Sequence, residues 1–281
     1  MKLSEAFDIY INEKLKLEQC SKSNIKHYTY CRNNIAKVLR NKDIKKLSME
    51  DVAYWMTDLS HGRCQNTIGK YVSELKQVLR YMLLRGEDVG VNPALIPVPQ
   101  RIPVTAQYVT PNEVQKIIDS TSNIRTKFVV SMLYASGVRV SELVSLNRGS
   151  IYHRQFTVIG KGHKERLCFI DHRTELLMRK YLQSRDDTSN ALIVSHIYKD
   201  RVSVSTIQML IRNAVGKAGI KDKHITPHTF RHGHATNLIA NGADIRYVAR
   251  DLGHANLSTT MIYTHIEDPD MRQKYEKFHT I

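Results

Sequence analysis

Cysteine is scarce in this 281-residue sequence: four thiols, Cys20, Cys31, Cys64 and Cys168, with no two in a C-x-x-C pair. That spacing offers neither a zinc site nor a disulfide framework, and the four read as reduced thiols. Long apolar runs are missing as well. No stretch approaches the roughly 18 residues a membrane-spanning helix needs, so no membrane partner is expected. The opening Met1-Lys2-Leu3-Ser4-Glu5 is polar and amphipathic rather than a signal peptide, and the expected location is the cytoplasm. There is no P-loop, no acidic metal cluster and no H-E-x-x-H among the 13 histidines. Chemistry that depends on ATP, a metal ion or another cofactor is therefore not expected.

What the sequence has in excess is positive charge. It carries 42 Lys and Arg against 27 Asp and Glu, a net +15. The first hundred residues hold 16 basic and 11 acidic side chains, and the remainder 26 and 16. Both halves are basic, as suits a protein that surrounds a polyanion rather than touching it with one arm. A nucleic acid is the partner this balance points to, the alternative being a merely soluble basic protein.

The length favours two domains. Residues 1–85 read as helices, most clearly Asn66 to Leu84. There Ile68, Tyr71, Val72, Leu75, Val78, Leu79, Met82 and Leu83 follow the spacing of one apolar helix face. Ser48-Met49-Glu50-Asp51 looks like a capping box for a helix through Leu59. Ser23 offers a cap for another over Ile25 to Leu39, and residues 3–17 make a fourth. From Gly86 to Thr105 the periodicity fails. Pro93, Pro97, Pro99 and Pro103 make residues 86–105 extended, an interdomain linker. A second domain, 106–281, opens on Thr110-Pro111-Asn112-Glu113, an N-cap with Pro at N1 and Glu at N3. Helices follow through Leu146. The strands Phe156-Thr157-Val158-Ile159 and Leu167-Cys168-Phe169-Ile170 then predict a hairpin, and helices resume. The fold class is mainly α with a small β-sheet.

Four segments can carry chemistry. Ser136-Gly137-Val138-Arg139-Val140-Ser141-Glu142-Leu143 sets an arginine at a turn-to-helix junction, either projecting into a cleft or lying on the surface. A guanidinium suits phosphate because its planar donors engage two oxygens at once. Glu142 either holds that guanidinium or faces water. Gly160-Lys161-Gly162 reads as a hairpin tip whose lysine is a proton donor to a leaving oxygen or a solvated turn residue. Lys164 and Arg166 nearby are read as meeting the DNA backbone or solvent. Thr226-Pro227-His228-Thr229-Phe230-Arg231-His232 starts a helix with His228 and Arg231 three apart on one face of its first turn. That is a phosphate clamp at a helix N-terminus, or a capped surface helix. Last come Leu252-Gly253-His254 and Ser258-Thr259-Thr260-Met261-Ile262-Tyr263-Thr264, in which Tyr263 is one of 14 tyrosines.

Taken in order, G-V-R-V-S-E-L, G-K-G-x-K-E-R, H-T-F-R-H, L-G-H and T-x-x-Y-T-H resemble the tyrosine recombinase (phage integrase) family, most closely its compact Xer-type members. The resemblance spans essentially the whole chain. It implies a helical, SAM-like core-binding domain over 1–85, then a mixed α/β catalytic domain, the two forming a C-shaped DNA clamp. It implies Tyr263 as nucleophile, with Arg139, Lys161, His228, Arg231 and His254 as the other catalytic residues and Glu142 behind Arg139. Two departures stand out: Phe230 where Leu is commoner, and Gly233-His234 in place of Ser-Phe. The second leaves the packing behind the active site open.

The implied reaction is site-specific recombination of DNA. Cationic and hydrogen-bonding side chains neutralise the scissile phosphate, and Lys161 protonates the leaving 5′-oxygen. The phenol forms a 3′-phosphotyrosyl link, and exchange passes through a Holliday junction. The implied assembly is a homo-tetramer on two DNA sites, each with inverted half-sites, with or without a related partner recombinase. Tyr275 and Phe278 can anchor the tail 264–281 on a neighbouring protomer, or the tail can be a frayed terminus. No extra N-terminal arm-binding domain is expected. That favours simple core sites and resolution-type reactions (chromosome or plasmid dimers, transposon cointegrates) over integration of a phage or mobile element. A type IB topoisomerase-like enzyme and an inert DNA-binding protein are the rivals. The first predicts relaxed circles instead of junctions, and the second is disfavoured because all six catalytic positions hold competent residues.

Overall fold

The computed structural model describes residues 1–17, 22–102, 107–160 and 165–253, and they divide into two compact units, 1–104 and 105–281. Among them no helix is long and apolar enough to cross a membrane. The described residues are mainly helical with one two-stranded sheet.

The first unit packs α1 (Leu3–Lys16), α2 (Lys22–Val38), α3 (Met49–Ser60) and α4 (Gln65–Leu84) around one core. Ser48 and Asp51 cap α3 reciprocally: the Asp51 N–H donates to Ser48 Oγ at 3.2 Å and the Ser48 N–H to the Asp51 carboxylate at 2.8 Å. Along α4, Ile68, Tyr71, Val72, Leu75, Val78, Leu79 and Met82 turn inward as the periodicity requires. Leu83, expected on the same face, is instead exposed. Trp55 is fully buried and donates from Nε1 to Asn34 at 2.7 Å.

Residues 86–102 are extended apart from a 3₁₀ turn at Pro93–Leu95, and they are docked on the bundle. Val91 and Ile96 are buried in its core, and Lys76 Nζ donates to the Ile96 carbonyl at 2.7 Å. Asn66 binds the Ile102 backbone both ways at 2.9 Å, which repairs amide groups that the prolines keep out of any helix. Gly90 sits so close that a Cβ there would lie 2.4 Å from the Lys45 carbonyl oxygen.

In the second unit, α5 (Pro111–Asp119) begins at a Thr110–Glu113 capping box. The central helix is α6 (Ile124–Ser136), against which α5, α8, α9 and α10 all pack, so its buried residues are not confined to one face. The short α7 (Val140–Ser145) follows, then the antiparallel strands β1 (Gln155–Ile159) and β2 (Glu165–Phe169). The chain continues through α8 (His172–Gln183), α9 (Val204–Lys217), α10 (Pro227–Ala240) and α11 (Ile245–Leu252). In the sheet Phe156 pairs with Cys168 and Val158 with Arg166. Phe156, Val158 and Cys168 are buried, so Arg166 points inward with them.

Candidate active site

The site forms where the α6–α7 turn meets the first turn of α10 and the end of α11. Gly137 ends α6 at φ +58°, the left-handed conformation that glycine adopts without penalty. It also leaves no room for a side chain, since a Cβ would lie 2.5 Å from the His234 ring. Val138 and Val140 are buried on either side of Arg139, which anchors the junction that carries it. Arg139 is the N-cap of α7, and its N–H donates to Glu142 Oε2 at 2.7 Å. Its guanidinium donates to Glu142 Oε1 at 2.9 Å while its side chain stays 32% exposed. Glu142 therefore holds the guanidinium rather than facing water.

Glu142 is itself buried and receives a second guanidinium. Arg166 NH1 and NH2 donate to its two carboxylate oxygens at 2.9 and 2.8 Å. Burial pushes the Glu142 carboxyl up, but the Arg166 and Arg139 donors outweigh it and bring it down to about 2. Glu142 thus remains an anion at any pH near neutrality. Burial works against the charge on Arg166 too, but Glu142, with Cys168 and Asp251 nearby, outweighs it. The expectation that Arg166 meets DNA or solvent is wrong: its side chain is only 8% exposed. Its inward place follows from the strand pairing, opposite buried Val158 and two positions before buried Cys168.

Thr226 is extended and Pro227 occupies the first position of α10. The Thr229 hydroxyl accepts the Thr226 N–H at 2.7 Å and donates back to the Thr226 carbonyl at 2.6 Å. His228 is exposed on this first turn, whereas Arg231, three residues on, is buried. Arg231 donates to the carbonyl of Gly137 at 2.6 Å and to that of Leu252. It thereby ties α10 to the turn that carries Arg139 and to the end of α11. His232 is held below its ordinary value by burial and by the nearby His228 and Arg231 charges, which favours a neutral ring. His228 and His232 are four apart on one helix, a spacing that metals use. No group of three or more potential ligands occurs among the described residues.

The two departures in the helix after Arg231 have a structural account. A Cβ at Gly233 would lie 2.3 Å from the Val109 carbonyl oxygen, so only glycine lets α10 approach that strand of chain. His234 faces the Tyr134 carbonyl through Nδ1 and the Asp251 carboxylate through Nε2, each at 2.9 Å. Both partners are acceptors, so a neutral ring can donate to only one of them. Neither residue draws attention in the sequence except as a departure from the usual pattern.

The Arg139 and Arg166 guanidiniums bind Glu142, His234 meets Asp251, and Arg231 is held by two backbone carbonyls. Fixed donors such as Arg139 and Arg231 can stabilise charge developing on phosphate oxygens. Cys168 offers no competing nucleophile, since burial pushes its thiol up to about 11. The structure thus brings Arg139, Glu142 and Arg231 together, with His228 on the same helical turn as Arg231. Lys161, His254, Tyr263 and the tail 264–281 lie outside the described residues. So does Lys164.

Residues 107–269 match the family model described as the phage integrase family. The tyrosine recombinase XerA of Pyrococcus horikoshii is 32% identical over 270 residues, 94% of this chain and 90% of that protein. The tyrosine recombinase XerC of Histophilus somni is 34% identical over 228 residues, covering 78% of this chain and 76% of that one. A solved lambda integrase tetramer bound to a Holliday junction is similar at a TM-score of 0.77, over 91% of this chain and 78% of that one. At 16% identity that likeness is one of fold. With a match over most of its length and an arginine–glutamate cluster joined to a helix-start His/Arg pair, the chain belongs to the phage integrase family and is a site-specific tyrosine recombinase.

Proposed function

We propose that this recombinase performs resolution-type exchange, separating dimeric chromosomes or plasmids or transposon cointegrates, on DNA in the cytoplasm. Tyr263 gives up its phenol proton to a neighbouring histidine as its oxygen attacks the scissile phosphorus, and the expelled 5′-oxygen leaves as a hydroxyl after taking a proton from Lys161. The product is a 3′-phosphotyrosyl ester, and its bond energy serves rejoining to the partner strand, so neither ATP nor a metal ion is consumed. Arg139 and Arg231 bind the non-bridging oxygens, with His228 and His254 as further donors. Glu142 fixes the direction of Arg139.

Residues 1–85 act as the core-binding domain, 86–105 as the connection and 106–281 as the catalytic domain, and both domains bind the duplex. Two such molecules occupy inverted half-sites, and a tetramer joins two sites and exchanges one pair of strands at a time through a Holliday junction. The tail 264–281 docks on a neighbouring protomer. The tetramer on a junction in the lambda integrase structure supports this assembly.

The observation that carries the reading is the fixed Arg139–Glu142 pair joined through Arg231 to the start of α10. Resolution rather than integration rests on the Xer relatives, which match over most of the chain. The test uses a plasmid bearing two directly repeated core sites, selected by binding from a random duplex pool, in buffer with EDTA. Two separate circles, with few intermolecular joints, are expected. Preferential joining of separate plasmids would replace resolution with integration. Relaxed circles without recombinants would mark a topoisomerase-like activity.

A further inference from the structure

We propose that Arg166 is a positioning residue for the reaction, holding Glu142, and through it Arg139, in register with the C-terminal end of α11. The inference rests on the reading of Arg139 as a phosphate-binding residue.

Arg166 spends its donors on three acceptors from two distant parts of the unit. NH1 and NH2 take the two oxygens of Glu142, while Nε donates to the Asp251 carbonyl at 2.9 Å. That carbonyl belongs to the last turn of α11, where the helix leaves its negative end, and a buried cation there is favourably placed. The arginine stem also runs against the helix terminator: a Cβ on Gly253 would lie 3.0 Å from Arg166 Cδ. Asp251 is secured a second time by His234, and Leu252 by Arg231. The end of α11 is thus held by Arg166, Arg231 and His234, and Arg166 also reaches Glu142.

The geometry on Glu142 gives Arg166 its leverage. The carboxylate accepts four hydrogen bonds, two from Arg166 and two from Arg139. The Arg139 side chain is partly exposed, and its ion pair with Glu142 sets its direction. If Arg166 is lost, Glu142 keeps its burial but loses its strongest partner. Its carboxyl then rises toward the working pH range, and once protonated it no longer binds Arg139 as an anion. Lysine cannot substitute, because a point charge on a flexible stem does not make a fork and a third bond together.

The full-length protein is compared with Arg166→Gln, Arg166→Lys, Glu142→Gln, Arg166→Gln/Glu142→Gln and Arg139→Ala. Thermal melting, binding to the selected core duplex, and single-turnover cleavage of its nicked suicide form are measured across pH. Arg166→Gln is expected to bind DNA within about threefold of wild type and to cleave about a hundredfold more slowly, the cost of misplacing a reacting group. Its cleavage rate gains a rise with pH that wild type lacks, and the double variant loses that rise, staying at the rate that Arg166→Gln shows at the low end of the pH range. Arg166→Lys falls between. Wild-type cleavage by folded Arg166→Gln, alongside an inactive Arg139→Ala, overturns this inference alone. So does a loss that is independent of pH and additive with Glu142→Gln, or one that merely follows loss of folded protein. Normal cleavage by Arg139→Ala overturns the parent reading instead.

Discussion

Glu74 is a carboxylic acid in the wrong place, and its energetic cost can be measured. It lies on α4, 6% exposed, among the side chains of the first unit's core. Its Oε2 has no hydrogen-bond partner among the described residues. Burial drives its carboxyl up to about 7, and the charge of Lys70 opposes this only in part. The sign follows from linkage. Below the ordinary glutamate range both folded and unfolded chains hold the proton, and Glu74 carries no penalty. As pH rises, the unfolded chain ionises first, so stability falls until the folded state ionises near 7 and then levels off. The shift corresponds to about 3 kcal/mol in full, of which about 2.5 kcal/mol is lost between about pH 5 and about pH 8. Glu74→Gln removes this titration while keeping the shape. The protein has one tryptophan, and Trp55 is buried in the same unit, so its fluorescence in urea reports unfolding of that unit specifically. The stability of Glu74→Gln relative to wild type is expected to increase by about 2.5 kcal/mol over that pH interval. A difference that stays constant with pH would refute the reasoning.

Two further predictions concern the second unit. His234→Phe, which restores the residue commoner in the family, strands the Asp251 carboxylate, 9% exposed, and is expected to cost about 3 kcal/mol by calorimetry. Adding Asp251→Asn is expected to recover most of that loss; a double variant no more stable than the single one would show that the pair contributes little. Lys161→Ala is expected to cleave poorly on ordinary DNA and to recover on a duplex with a 5′-thio leaving group, which needs no proton. Failure to recover would make Lys161 a phosphate contact rather than the acid.

The features legible in the sequence were those written in local chemistry. Ser48 with Asp51, Thr110-Pro111 with Glu113, and Thr226-Pro227 each announce a helix start within four residues, and helices begin at those positions. The hairpin followed from period-two alternation, and its strands start within two residues of the expected positions. What the sequence hid depends on distant parts of the chain. The extended run after Gly86 reads as bare linker because nothing local shows that Gly90 meets the Lys45 carbonyl or that Asn66 will bind Ile102. Gly233 looks like a helix defect until Val109 is seen pressing on it. Arg166 was misplaced because a charged residue beside Glu165 and Lys164 reads as surface. Only the pairing with Val158 turns it inward, and only folding brings Glu142 and Asp251 to meet it. Arg139 and Arg231 were found by motif, yet the carbonyl of Gly137 that joins their two segments carries no sequence signature.

The most direct test of the account is covalent capture. Wild-type protein and Tyr263→Phe are incubated with the selected core duplex, nicked and end-labelled so that cleavage releases a short fragment and traps the enzyme. A labelled protein–DNA adduct at the 3′-phosphate is predicted for wild type and none for Tyr263→Phe, with binding of the intact duplex unchanged. An adduct that persists in Tyr263→Phe would contradict the central claim.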